Sequence, residues 1–428
     1  MELPKGFYAN GWYAGIKKNT NSKDFGFIFS ETLASASGVF TQNKFVGNPI
    51  IVGREHIKNG KLQCIVVNSG NSNVATGREG LKLAYDTCKW TAKSLKIKPE
   101  DVLPSSTGVI GKKLDSKVIE NACSKIPHYL DRKPLDFAEA ILTTDRFPKT
   151  GYYSNEAYTI AGFAKGAGMI HPNMATMLAY IITDVKISSS DLRRLIHFVA
   201  NKTFNRISVD SDTSTSDTFV IMANGKSKQA ISYPIEEWKK LFSFTKKQFL
   251  LLINYSNEEN KDLLKEVKRE VFRGIHFTEE SKDFLLNVLG LSMQLAKKIV
   301  SDGEGSTKIF RVNVLNAPTA KIAEKIGRSI INSPLIKTAI FGGDPNWGRF
   351  LMGIGKVVDA HFDISKIKLY CNQKEFYPKI MDLEEMSEYF KQKEIYIDID
   401  LNQGNANESF WGCDLNYDYV KINSEYTT

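Results

Sequence analysis

Residues 165–178 read KGAGMIHPNMATML, and this stretch joins two kinds of sequence that bear on the fold. The run from Met177 to Ile182 is short and continuously apolar, which is typical of a buried β-strand. The residues before it are rich in glycine and small polar side chains, which is typical of a loop whose backbone approaches a polar ligand. The stretch therefore predicts a buried strand with a binding loop at its beginning.

Strands and helices alternate on both sides of this stretch. Residues 62–67 (LQCIVV) predict a buried strand, and a 3.6-residue period in residues 81–95 predicts the helix after it. Residues 309–315 predict another strand, and residues 395–401 alternate apolar and polar side chains, as a strand with one wet face does. This interleaving predicts a layered α/β or α+β fold. A lysine- and glutamate-rich stretch at about residues 230–285 predicts a helical surface insertion.

The composition is that of an ordinary globular protein. The 428 residues are 42% hydrophobic and 25% charged, which excludes large-scale disorder. The net charge of +9 is spread along the chain without an arginine or lysine block, so we expect no nucleic-acid and no membrane partner. The five cysteines never form a CxxC pair, which is typical of reduced thiols. Because no segment resembles a signal peptide or a membrane span, we expect a cytoplasmic protein.

Thr176 admits two interpretations. As a β-branched residue entering a strand, it needs no function. It becomes a nucleophile if the chain breaks between Ala175 and Thr176, because the freed α-amino group, with an ordinary pKa of about 7.7–8.0, then serves as its base. No histidine partner is needed in that case, and we expect His171 to position its loop. A phosphate-binding loop is disfavoured, because the spacing fits neither GxxxxGK[ST] nor GxGxxG.

The same stretch resembles the self-cleaving motif of the glutamate N-acetyltransferase/ornithine acetyltransferase family, in which the bond before the motif's threonine is broken. Other segments resemble that family in the same order along the chain. They are ASGVFTQNK (36–44), NSGN (68–71), STGVIG (106–111), TTD (143–145), FNRISVDSDTSTSD (204–217), DGEGSTK (302–308), GGDPNWGR (342–349) and WGCDLNYDYVKINSEYTT (411–428). The resemblance covers nearly the whole chain outside about residues 230–285.

This resemblance implies an α/β fold layered like the sandwich of N-terminal-nucleophile hydrolases, with a smaller C-terminal lobe from about residue 309. Cleavage would give an alpha chain of residues 1–175 and a beta chain of residues 176–428. The family's organisation implies that these chains stay associated, as a heterotetramer of two alpha and two beta chains.

The resemblance also implies the site residues. Thr176 matches the nucleophile, and Thr107 and Gly108 match the oxyanion hole. The matching substrate-contacting positions are Thr143 (or Thr144), Lys165, Thr176, Glu304, Asn423 and Thr428. The chemistry agrees, because a lysine suits the α-carboxylate of an amino acid and a glutamate suits the ammonium of ornithine.

The implied activity is a ping-pong transfer of an acetyl group from N2-acetylornithine to glutamate, which releases ornithine and belongs to arginine biosynthesis. No metal or cofactor is implied, and acetyl-CoA is left open as a second acetyl donor. Three alternatives remain. They are a self-cleaving aminopeptidase or amidohydrolase of the same superfamily, a metal-dependent phosphotransferase built on Asp210, Asp212 and Asp217, and a non-catalytic basic binding protein.

The chain departs from the family pattern at a few positions. Arg146 follows TTD where a threonine is expected, and Ser211 and Ser216 stand where glycine and asparagine are usual. The segment NSGNSNVATG (68–77) also differs in its middle. None of these departures falls on a matched catalytic position, so they bear on the choice of substrate and not on acyl transfer itself.

Overall fold

The computed structural model describes residues 1–171, 177–242, 244–255, 261–379 and 383–425, so the predicted residues Ala175, Thr176 and Thr428 lie outside the described residues. The strands are β1 Phe7–Trp12, β2 Phe25–Phe40, β3 Lys61–Asn71, β4 Val102–Val109, β5 Lys149–Ser154, β6 Thr159–Lys165, β7 Leu178–Thr183, β8 Lys186–Ile187, β9 Ile207–Ser208, β10 Thr218–Ala223, β11 Ala230–Ile231, β12 Ile309–Ala317, β13 Lys368–Cys371, β14 Lys374–Tyr377, β15 Glu394–Asp400 and β16 Ala406–Cys413. The α-helices are α1 Asn48–His56, α2 Gly77–Leu95, α3 Ser116–Lys125, α4 Pro134–Ala140, α5 Ser189–Lys202, α6 Ile235–Trp238, α7 Lys246–Asn254, α8 Lys261–Val271, α9 Glu279–Ser301, α10 Ala320–Ile331, α11 Pro334–Gly342, α12 Trp347–Gly355, α13 Leu383–Phe390 and α14 Tyr417–Glu425.

The larger sheet has the strand order β4-β3-β2-β10-β7-β6-β5, and β1 pairs with β2 beside this path. The pairs β3–β4 and β7–β10 are parallel, and the other neighbours are antiparallel. The apolar run after the glycine-rich loop forms β7 near the centre of this sheet, and all six of its residues are buried. The predicted strand and the layered α/β class are therefore confirmed.

Side chains alternate in direction along β7, and they enter a different hydrophobic core on each face of the sheet. Ala179 and Ile181 pack in the core beneath α5 and α9, whereas Tyr180 and Ile182 share the opposite core with Phe137 of α4. A fully buried isoleucine or phenylalanine side chain contributes about 1.5–3 kcal/mol of transfer free energy. Among the described helices, α9 has the length and hydropathy of a membrane span, but 72% of its apolar window is buried inside the structure.

The second sheet has the strand order β14-β13-β15-β12-β16-β9 and packs against α10 to α13. Its edge strand β9 comes from the middle of the chain, so the segment from Val209 to Asp217 runs from the second sheet to β10 of the first. The strand predicted at residues 395–401 is β15, and its polar face is only partly exposed, with Tyr396 and Asp398 half-buried. Asp400 is buried and pairs with Lys246 of α7, which lies over that face.

Residues 230–285 are largely helical and contain α6, α7 and α8. They do not lie only on the surface. Tyr233 and Trp238 are buried in the core shared with α5 and α9, and their rings contact each other at a centroid distance of 5.1 Å. This stretch therefore adds buried apolar side chains to the core beside the larger sheet. Its high content of charged residues does not indicate that it packs there.

Candidate active site

A cavity of about 350 Å³ lies where β4 and β6 end and β7 begins. Its walls bring together residues that the sequence places far apart, and every predicted site residue within the described part of the chain is among them. These are Thr107, Gly108, Thr143, Thr144, Lys165, Glu304 and Asn423. Met177, the residue after Thr176, also lines the cavity. A polar cavity of this size fits a small metabolite.

Gly108 occupies a position that only glycine can adopt. Its φ is +125°, a conformation that residues with a side chain rarely adopt, and a Cβ there would lie 2.5 Å from the carbonyl carbon of Gly70. The parallel pairing of β3 and β4 is irregular at Gly70 and Asn71, where the two backbones approach each other. This geometry sets Thr107 and Gly108 at the end of β4, against the cavity.

Lys165 is a buried cation without a described partner. It is the last residue of β6 and is only 9% exposed. Burial lowers the pKa of its ammonium below the ordinary 10.5, and the negative charge of Asp145 opposes that shift. Within the described residues, its ammonium forms no hydrogen bond and no salt bridge. Because a buried charge is costly unless it is paired, the site is prepared for an anionic group of a ligand.

Asp145 belongs to a buried network that the sequence did not reveal. Its Oδ1 accepts hydrogen bonds from Lys149 Nζ and from the Gly166 N–H, both at 2.6 Å, and its Oδ2 accepts one from the Thr143 N–H at 3.0 Å. Burial alone would raise the pKa of this carboxyl, but the charges of Lys165 and Lys149 outweigh it and lower the pKa to about 2. Asp145 belongs to the TTD motif, but no sequence pattern identifies Lys149 as the partner of its carboxylate.

Glu304 also lines the cavity, in the turn after α9, and its negative charge acts on the Lys165 ammonium. The parts of the cavity wall around these two residues are called the Lys165 end and the Glu304 end. The Glu304 main-chain N–H donates to the Ala167 carbonyl at 3.0 Å, and Asn423 Nδ2 donates to its Oε2 at 2.8 Å. A Cβ at Gly168 would lie 2.4 Å from this carboxylate, so the glycine leaves the space that Glu304 occupies. Asn423 reaches the site from α14, which Asn416 holds by donating to the Gly305 carbonyl at 2.6 Å.

The loop between β9 and β10 supports the glycine-rich loop. Asp210 Oδ1 accepts from the Ile170 N–H at 2.8 Å, and its other oxygen accepts from the Met169 N–H. Burial raises the pKa of Asp217 well above its ordinary value. Asp210 is occupied by main-chain donors, which argues against its use in a phosphotransferase metal site.

His171 lies beside this loop. Thr213 Oγ1 donates to the His171 carbonyl at 3.0 Å, which ties the two loops together. Burial lowers the pKa of the imidazole to about 4, and the charge of Arg328 adds to the shift. The imidazole is thus neutral near pH 7. That His171 positions its loop stays a prediction.

The chain matches the ArgJ family over residues 8–428. An arginine biosynthesis bifunctional protein ArgJ from Staphylococcus epidermidis is 40% identical over 434 residues, which cover 99% of this chain and 98% of that protein. A protein of the same name from Caldanaerobacter subterraneus is also 40% identical and covers 100% of this chain and 98% of its own length. A crystal structure of ornithine acetyltransferase complexed with ornithine, from Mycobacterium tuberculosis, is 29% identical, covers 41% of this chain and 94% of that chain, and has a TM-score of 0.38.

The family match and the two ArgJ relatives extend over nearly the whole chain, as the ordered motifs do. The family resemblance predicted from the sequence is therefore confirmed. The chain belongs to the ArgJ family and is an acetyltransferase of arginine biosynthesis.

Proposed function

We propose that the cavity binds N2-acetylornithine and glutamate in turn, and that Thr176 carries the acetyl group from one to the other. One observation carries this proposal. Thr107, Gly108, Lys165 and Glu304 meet in a single cavity that Met177, the residue after Thr176, also lines. Such a cavity supplies a cation, an anion and an oxyanion-hole candidate next to the proposed nucleophile.

The two charged ends fit the substrate. The ammonium of Lys165, which has no described partner, binds the α-carboxylate that both substrates carry, since a charge-assisted hydrogen bond is stronger than a neutral one. The carboxylate of Glu304 binds the side-chain ammonium of ornithine. Asn423 is the third group at that end, since it donates to Glu304, and Thr143 or Thr144 also lines the cavity. Thr428 is proposed as a further contact on the basis of the family resemblance.

The chemistry is a balanced acyl transfer. The α-amine of Thr176 takes the hydroxyl proton while Oγ attacks the acetyl carbonyl. The Thr107 hydroxyl and the Gly108 N–H donate to the developing oxyanion. The C–N bond then breaks, ornithine's α-nitrogen takes the proton back from the Thr176 ammonium, and the acetyl group stays on Oγ as an ester. The amine of glutamate attacks this ester by the reverse steps and leaves as N-acetylglutamate. These steps use no metal and no cofactor, and acetyl-CoA is a second acetyl donor to be tested.

The nucleophile's amine becomes available when the chain cleaves itself between Ala175 and Thr176. The sheet supports the proposal that both products, residues 1–175 and 176–428, stay together. After such a cut, β6 and β2 would belong to the first product and β7 and β10 to the second, yet β6 pairs with β7 and β2 pairs with β10 along six residues each. We propose a cytoplasmic enzyme with two copies of each product.

A Thr176→Ala variant tests this proposal, with Thr32→Ala, at an exposed position of β2, as the matched control. We expect the wild type and the control to give two fragments by intact mass, the second beginning Thr-Met-Leu-Ala-Tyr on N-terminal sequencing. We expect the Thr176→Ala chain to stay whole and to transfer no labelled acetyl group from N2-acetylornithine to glutamate. Two fragments with full activity in this variant would overturn the proposal. Release of free acetate without glutamate would favour the amidohydrolase alternative.

A further inference from the structure

We infer that Lys149, which does not line the cavity, is a positioning residue that fixes the spacing between the Lys165 end and the Glu304 end of the site. It thereby sets the length of the donor substrate that the enzyme prefers. This inference rests on the proposed function, because it takes Lys165 as the partner of the α-carboxylate and Glu304 as the partner of the side-chain ammonium.

Lys149 bridges two buried carboxylates. Its Nζ lies 2.6 Å from Asp145 Oδ1 and 2.6 Å from Asp302 Oδ2, and the side chains of all three residues are 0% exposed. Lys149 is the first residue of β5, a strand of the larger sheet. Both bonds are short and charge-assisted, so the bridge is stiff and is shielded from solvent screening.

Each carboxylate belongs to one end of the cavity. Asp145 accepts the N–H of Gly166, the residue after Lys165, so its position is tied to the Lys165 end. Asp302 follows α9 and precedes Glu304 by two residues, so it anchors the turn that carries the Glu304 end. Lys149 therefore joins the supports of the two ends through one ammonium group.

The spacing of these ends decides which diamino acid fits. Ornithine differs from its shorter and longer homologues by one methylene group, and a site usually discriminates one methylene by roughly 10- to 200-fold. A misplacement of about 1 Å can cost roughly 10²-fold in rate, so a small change in the spacing of the ends is enough to alter which homologue reacts fastest. A bridge with two short charged bonds is the kind of support that holds the ends within that limit.

Substitution of Lys149 has a predictable direction. Lys149→Met leaves Asp145 and Asp302 without the cation that joins them, so the two supports either move apart or share a proton, and in both cases they lose the link through Lys149. Lys149→Arg keeps the charge but inserts a larger group into a filled space, which disturbs the same link. Both changes loosen the spacing of the two ends, so the preference for acetylornithine over its homologues should fall.

The experiment measures kcat/KM for three acetyl donors, with glutamate as acceptor. The donors are N2-acetyl-2,4-diaminobutyrate, N2-acetylornithine and N2-acetyllysine, in order of increasing length. The variants are Lys149→Arg and Lys149→Met, and thermal unfolding establishes that each is folded. Arg146→Met is the matched control, because Arg146 Nε also pairs with Asp302 at 2.8 Å, but its side chain is 55% exposed and it does not bridge to Asp145.

We expect the wild type to prefer acetylornithine to both homologues by roughly 10-fold or more. We expect the Lys149 variants to lower the preference for acetylornithine over acetyllysine by about tenfold, and Arg146→Met to change it by less than about twofold. Unchanged preferences in folded Lys149 variants would overturn the inference, as would an equal change in the control.

If Lys149→Met does not fold, Lys149→Arg decides. If neither folds, Asp302→Asn decides by comparison with Arg146→Met, because Asp302→Asn removes the pair with Lys149 together with the pair with Arg146. A wild type that transfers acetyl from acetylornithine and shows no such change in these variants refutes only the role of Lys149. A wild type that does not transfer acetyl from any of the three donors refutes the proposed function itself.

Discussion

The two ends of the cavity are built in different ways. Lys165 lies on β6, is almost fully buried, and has β5 and β7 paired on either side of its strand. Glu304 lies in a turn, and its described side-chain partner is Asn423 on α14, a helix that is mostly exposed. One end is therefore held by a sheet, and the other includes a side chain from a mostly exposed helix.

This difference between the two ends of the cavity matches a difference between the two ends of the proposed substrates. Ornithine and glutamate have the same α-carboxylate, which a rigid cation can serve for both. Their far ends carry opposite charges, an ammonium in one and a carboxylate in the other. Glu304 is an acceptor only, whereas the amide of Asn423 offers both a donor and an acceptor. The end that must receive opposite charges is thus the one that includes a side chain from a mostly exposed helix.

The largest effect is expected from Gly108→Ala in the proposed oxyanion hole. The added Cβ would lie 2.5 Å from the backbone of Gly70, so the proposed oxyanion donor must move. We expect kcat to fall on the order of 10²- to 10³-fold, measured for the complete reaction. Gly111→Ala is the control, because Gly111 also has a positive φ but a Cβ there has open space. Equal activity of the two variants would contradict the assignment.

Lys165→Met should weaken both substrates together. Removal of the buried cation takes away the partner of a carboxylate that both share, so we expect KM for acetylornithine and for glutamate to rise by roughly 10²-fold. Steady-state kinetics with each substrate varied in turn measures this. Lys298→Met, in which the lost ammonium donates to the Thr150 carbonyl outside the cavity, is the control. A rise for one substrate alone would show that Lys165 is not the common anchor.

The same anchor predicts a pH dependence. Lys165 binds a carboxylate only while it is charged, which is below its pKa, and burial has lowered that pKa from 10.5. As the pH rises through that lowered value, KM for both substrates should increase, by up to about tenfold for each further pH unit. The alkaline branch of the KM profile tests this. A flat branch up to the ordinary pKa of lysine would contradict it.

Glu304→Gln should separate the two half-reactions. We expect acetylation of the enzyme by N2-acetylornithine to slow by about tenfold, because one charged contact to the ammonium is lost. Transfer from the acetyl-enzyme to glutamate should not slow, because the substituted amide no longer repels a carboxylate. Rapid-quench measurement of each half-reaction tests this, with Glu394→Gln outside the cavity as the control. Equal slowing of both halves would place Glu304 at the shared end.

The smallest effect is expected from Gly168→Ala. The added Cβ would lie 2.4 Å from the Glu304 carboxylate, but the end of a flexible side chain can shift. We therefore expect acetylation by N2-acetylornithine to slow by only about three- to fivefold, with the glutamate half-reaction unchanged. The same rapid-quench experiment measures it. A loss confined to the glutamate half would mean that Glu304 serves the other substrate.

The sequence predicts the strand and the loop that form the site better than it predicts the side chains that hold them in place. The apolar run that forms β7 and the glycine-rich loop before it follow from local pattern, since periodicity and backbone freedom are properties of neighbouring residues. The meeting of Thr107, Lys165 and Glu304 followed only from the order of several family motifs. Asn423, near the end of the chain, would otherwise be dismissed as frayed tail.

The bridge at Lys149 could not be predicted. Its two partners are 4 and 153 residues away, and a lysine that the fold buries looks the same in a sequence as one on the surface. The burial of Asp400 on the polar face of β15 could not be predicted for a related reason. Alternation gives the side of a strand on which polar residues lie, but it does not show that Lys246 of α7 pairs with Asp400 from another part of the chain.

The most direct test of acetyl transfer through Thr176 is the mass of the protein after it is mixed with N2-acetylornithine in the absence of glutamate. The fragment that begins at Thr176 should gain one acetyl group while one ornithine is released for each site, and addition of glutamate should remove that group as N-acetylglutamate. Continued turnover with no acetyl group on that fragment, or an acetyl group on another residue, would contradict the account.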